Sequence, residues 1–203
     1  MNPAFHSIVV HVLTGTLMFG TFAAVALFAL RFSVLARFRY LAPAADMAAL
    51  FAIWIGTVVS VAGMVTGFAI HSLESSLNSP VIRNKISAGI LLILTYGIFL
   101  FLRHRIGSRI WNNDLTAGFA AFLAVAGMHW NIVTNSIGGT VAGVPSGYEY
   151  IVRFSGVETR FTYYLPSWTL LAIAAVAIAM LVLAFTDKGS KDAAEQDTLV
   201  SSD

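Results

Sequence analysis

The chain has 203 residues, of which 58% are hydrophobic and only 11% charged, with a net charge of +2. Soluble domains carry about 25% charged residues, so this composition points to lipid as the solvent and gives no reason to expect nucleic acid as a partner. With no cysteine in the sequence, disulfides, thiolate metal sites and iron–sulfur clusters on this chain are excluded as well.

A membrane helix needs about 20 apolar residues, because every backbone polar group must be satisfied within lipid. Five runs qualify, at residues 5–30, 47–70, 81–102, 115–135 and 166–186. None carries Asp, Glu, Lys or Arg in its interior, although Arg83 and Lys85 fall in the first turns of the third. The first run is not preceded by Lys or Arg and lacks a convincing small-residue cleavage site after it. It therefore reads as a retained helix rather than a secretory signal. Asp46 and Asp114 stand just before the second and fourth runs, where a carboxylate suits a helix N-terminus.

Residues 31–46 and 103–114 form short basic connections, residues 71–80 are polar and Ser-rich, and residues 136–165 form the only long loop. The loop alternates from Tyr148 to Phe154, turns at Ser155-Gly156 and resumes at Thr159, which predicts a β-hairpin. The expected fold is an all-α integral membrane protein: a five-helix transmembrane bundle with a small extracytoplasmic hairpin loop. Its parts are a four-helix core (1–143), the loop (144–165), a fifth transmembrane helix (166–186) and a disordered polar tail (187–203).

Arg31, Arg37, Arg39, Arg103, Arg105, Arg109, Lys188 and Lys191 fall on one side of such a bundle, and Arg83, Lys85, Arg153 and Arg160 on the other. The more basic side belongs in the cytoplasm. The N-terminus and the long loop then face outward, and the C-terminal tail faces inward. This arrangement sends His6, His11, His71 and His129 toward the outer side and leaves only His104 inside.

An imidazole within lipid is costly and points to function. On the second helix Gly56, Ser60, Gly63, Gly67 and His71 recur on one face; on the first, His11, Gly15, Met18 and Phe22 do so. Small residues beside a ligating histidine leave room for a flat macrocycle, while close helix packing of the small-xxx-small type explains the glycines alone. One haem b suits the cluster, ligated by two of His11, His71 and His129, with Gly15, Gly63 and Gly67 beside the ring and Arg83, Lys85, Arg153 and Arg160 near its propionates. Three histidines would equally suit copper or zinc, and a site with no metal at all remains open.

His6-Ser7-Ile8-Val9-Val10-His11 resembles the H-P-x-x-V-H-F-P opening of the four-helix membrane proteins grouped as domain of unknown function 2231. The Gly-rich second helix and Gly138-Gly139 near the end of the fourth are similar to that family too, so the resemblance covers roughly residues 5–143. Ser7 and Leu13 stand where the family has Pro, and Val12 where it has Phe. The resemblance implies a fold rather than an activity.

Two functions follow. The first is a haem b-binding subunit of a respiratory or oxidase-type membrane complex. It would exchange electrons at the outer face with other membrane subunits, an extracytoplasmic carrier or a quinone. The alternative is a cofactor-free structural or accessory subunit. The spans carry no carboxylate for a proton relay, which argues against a transporter, and no acid is placed to complete a hydrolytic triad.

Overall fold

The computed structural model describes residues 3–70, 74, 78–144 and positions 168, 171, 172, 174–176, 178, 179 and 182. Four long helices organise it: α1 (Pro3–Ala29), α2 (Ala42–Phe68), α3 (Pro80–Ile106) and α4 (Asp114–Val141). All four are long and apolar enough to cross a membrane. Short 3-10 segments, Ser33–Leu41 and Gly107–Trp111, fill the two basic connections. The described residues include no strand. The described positions of the last apolar run are helical. The expected hairpin and the tail lie outside the described residues.

Local chemistry sets the helix ends. The Ser79 side chain accepts from the Ile82 amide at 3.4 Å, and Pro80 follows at the first helical position, where its missing N–H costs nothing. The Asn113 side chain caps α4 by accepting from the Leu115 amide at 2.8 Å. Gly107 ends α3 with a φ of 69°, a conformation that a side chain resists.

Helices α2, α3 and α4 extend past their predicted bounds, α3 by taking in residues 103–106 of the second basic connection. α2 begins at Ala42, with Pro43 in its first turn, so Asp46 sits inside the helix rather than before it. α4 runs to Val141 and takes up Ser136 to Thr140, which the sequence assigns to the loop. Backbone hydrogen bonding carries these helices beyond the apolar window that hydropathy detects.

The helices form a four-cornered bundle in which α1 neighbours α2 and α4, and α3 neighbours the same two. Small residues set the spacing between α1 and α2. A Cβ built on Gly56 would meet Leu17 Cδ2 at 2.4 Å, and one on Gly20 would meet Ile53 Cγ1 at 2.8 Å. Between α3 and α4, Gly127 lies under the Tyr96 ring, with 2.7 Å from an added Cβ to Cε2. Tyr96 is fully buried, and its hydroxyl lies 2.8 Å from Thr21 Oγ1 on α1. Leu13, Leu17, Ile53, Ile93, Phe99 and Leu123 fill the remaining core.

The end of the bundle that holds the two short connections is cross-braced. Arg103 on α3 grips Asp46 on α2 through both carboxylate oxygens, at 2.9 and 2.5 Å, and Trp111 Nε1 donates to the same carboxylate at 2.6 Å. Both charged side chains are nearly buried, 12% and 10% exposed. At the next corner Arg31 pairs with Asp114, Nε to Oδ1 at 2.6 Å, and donates to the backbone carbonyls of Trp111 and Asn112. Trp111 is a half-buried hydrogen-bond donor to this brace.

Candidate functional site

The predicted site residues take different sides of the bundle. His6 turns inward. Its Nδ1 lies 2.9 Å from Thr66 Oγ1 on α2. The Thr66 hydroxyl donates to the Gly63 carbonyl at 3.0 Å, so the ring nitrogen is the donor in the pair. Gly67 admits this ring: an added Cβ would stand 3.4 Å from His6 Cε1.

His11, five residues later, is exposed on the outer flank of α1. Its Nδ1 donates to the Ser7 carbonyl one turn earlier at 2.7 Å. A carbonyl can only accept, so this bond fixes the tautomer and leaves Nε2 with its lone pair directed away. Gly15, one turn below, has no atom within 4 Å of an added Cβ. The His11–Gly15 face is therefore open, with an oriented imidazole at its head.

His129 is also exposed and leaves α4 on its outward face, with an edge-on ring contact to Trp130 at 5.4 Å. The contacts from Asn135 to Thr14 and from Thr21 to the Ala124 carbonyl set the register of α1 against α4. In that register His129 lies roughly 10 Å deeper than His11 at 1.5 Å per residue. The described bundle does not bring the two rings together. His71 lies outside the described residues. Among the described residues no three His, Cys, Asp or Glu side chains gather into a metal-binding group.

The glycine stripe of α2 is occupied by protein. Gly63 faces Leu13, with 3.1 Å from an added Cβ to Cδ2, and Gly67 faces His6. The room predicted there for a flat ring is filled by α1 side chains, so these glycines serve helix packing. Arg83 is buried in the first turns of α3, 6% exposed. Lys85 is half-buried, with its ammonium against Gly138 of α4 at 3.2 Å from an added Cβ. It shares the depth of His11 but sits on the α3 side of α4.

Sequence reasoning missed a polar ladder between α1 and α4. Asn135 Nδ2 donates to Thr14 Oγ1 at 2.8 Å and reaches Asn131 Oδ1 at 3.3 Å. Asn131 is 1% exposed, and its amide is directed at the Met128 sulfur at 3.7 Å. The available signal was two asparagines four apart in an apolar span, hence on one helix face.

Four helices long and apolar enough to cross a membrane define the class: a helical, multi-pass membrane protein. No family model, no curated protein and no solved structure matches the chain.

Proposed function

We propose that this protein is a membrane subunit that carries one haem b at the outer face of an electron-transfer complex, with His11 as one of the residues that would hold it. The observation that carries the reading is the oriented imidazole. Its Nδ1–H is committed to the Ser7 carbonyl, which leaves Nε2 as the acceptor nitrogen, and Gly15 one turn below leaves this flank of α1 open. A carbonyl on the far nitrogen fixes ring orientation and raises basicity, as a good ligand requires. The bundle interior is filled, so the ring would lie against the outside of α1. The second ligand would come from His71 or from another subunit, since His129 lies too deep and points elsewhere. The group itself would supply one-electron chemistry; the protein would supply ligation and shield the ring from water. Arg83 and Lys85 lie at a suitable depth for propionates, although across α4 from His11.

The wider frame belongs to the same proposal. The last apolar run is a fifth transmembrane helix, the N-terminus lies outside and the C-terminus inside, and the first four helices belong with the resembled four-helix family. Partners on the outer side would be an extracytoplasmic carrier or a quinone.

One observation favours a second reading, a cofactor-free accessory subunit. Leu13 and His6 fill the glycine stripe that a macrocycle would use. An oxidised-minus-reduced optical spectrum of the protein, purified gently with its native partners, separates the two. The haem reading expects a b-type α band, lost in His11→Ala while the protein still inserts. Absence of any haem in the wild-type preparation leaves the accessory subunit.

A further inference from the structure

His129 is the least comfortable side chain in the described bundle. It sits about 22 Å from Asp114 along a helix of 28 residues, so it lies within the hydrocarbon of any bilayer that α4 spans. It is exposed on the outward face. Among the described residues it forms a ring contact with Trp130 and no hydrogen bond. A neutral imidazole has one donor and one acceptor, and leaving both bare in lipid is costly.

The rest of the face is built for a helix partner. Leu115, Phe119, Phe122, Ala126 and His129 follow one another at spacings of four, three, four and three. The first three are large exposed apolar side chains, 81%, 48% and 63% exposed. A repeat averaging 3.5 residues is the seam of a left-handed helix pair, and Ala126, next to His129 in this seam, lets a second backbone approach closely. The last apolar run offers the imidazole no mid-run partner: its polar side chains, Ser167, Trp168, Thr169 and Thr186, fall within its first four residues and at its last.

We infer that this face of α4 packs against the same face of a second copy of the chain, with His129 hydrogen-bonded to the partner's His129 near a two-fold axis. A two-fold axis brings a residue opposite its own copy, and the neutral imidazole is self-complementary: the N–H of one ring meets the bare nitrogen of the other. No other polar group is required, and the seam supplies the apolar contacts on one side of that bond. This inference is independent of any group held at His11.

The chain's lack of cysteine makes the test direct. Phe122→Cys and Ala126→Cys, introduced singly into the full chain and oxidised in native membranes, are expected to give a disulfide-linked species of twice the chain mass. Val58→Cys, on the exposed face of α2, is the control and should stay monomeric. Adding His129→Leu should reduce the cross-linked fraction at least fivefold without lowering the yield of folded protein, whereas His129→Gln, which keeps a donor and an acceptor, should retain most of it. Monomer at both α4 positions, adducts to a protein of different mass, equal cross-linking at Val58→Cys, or indifference to His129→Leu would each overturn the inference.

Discussion

Asp46 and Arg103 show what one misplaced charge does in this protein. Each is nearly buried, and each satisfies the other through two hydrogen bonds, with Trp111 supplying a third. Removing one partner strands a charge in a low-dielectric setting, which costs about 3–5 kcal/mol, whereas replacing both by apolar residues of similar volume can be neutral. Asp46→Ala or Arg103→Ala is therefore expected to lower stability in detergent by about that amount. The double variant Asp46→Leu/Arg103→Met should recover most of the loss. A thermal or denaturant unfolding series of the three proteins checks this, and a double variant as weak as the singles would mean that the pair does more than neutralise itself. By contrast the Arg31–Asp114 pair has a carboxylate 87% exposed, and Asp114→Asn should shift stability by less than about 1 kcal/mol.

At the scale of helices, glycine position separates packing from open surface. A methyl group at Gly56 would overlap Leu17 at 2.4 Å, and one at Gly127 would overlap the Tyr96 ring at 2.7 Å, whereas one at Gly15 meets nothing. Gly56→Ala and Gly127→Ala are expected to destabilise by about 1–3 kcal/mol, the usual range for overpacking, and Gly15→Ala to be neutral or slightly stabilising in a helix. If Gly15→Ala removes haem without loss of stability, that face holds the ring. The existence of the four helices was legible in the sequence because hydropathy reports length and depth directly. Their faces were not. In lipid the outside of a bundle is as apolar as its inside, so α1 shows no contrast that would reveal His6 as inward and His11 as outward. The five-residue spacing, read as one pair, separates two roles: a hydrogen bond to Thr66 and an open, oriented ring. The Gly63–Gly67 stripe, read as room for a cofactor or as packing, belongs to packing because Leu13 and His6 fill it.

Over the whole molecule the two ends of the bundle differ in kind. Arg31, Arg37, Arg39, Arg103, Arg105 and Arg109 gather at the end holding both 3-10 segments, and the two Arg–Asp braces tie all four helices together there. The opposite end carries His6, His11, Arg83, Lys85 and the C-terminal turn of α4, with hydroxyl, amide and imidazole contacts between its helices. Lys and Arg in short connections are retained on the cytoplasmic side during insertion, and the proposed orientation accordingly puts the braced end inside and the histidine end outside. Arg109 is exposed at the first end, and Val144, 68% exposed, at the second. In intact cells a membrane-impermeant maleimide is expected to label Val144→Cys and to reach Arg109→Cys only after permeabilisation. The chain's lack of cysteine leaves no background. Labelling of Arg109→Cys in intact cells, with Val144→Cys protected, would invert the protein in the membrane. His11 would then face the cytoplasm, and the redox partner would have to be sought there.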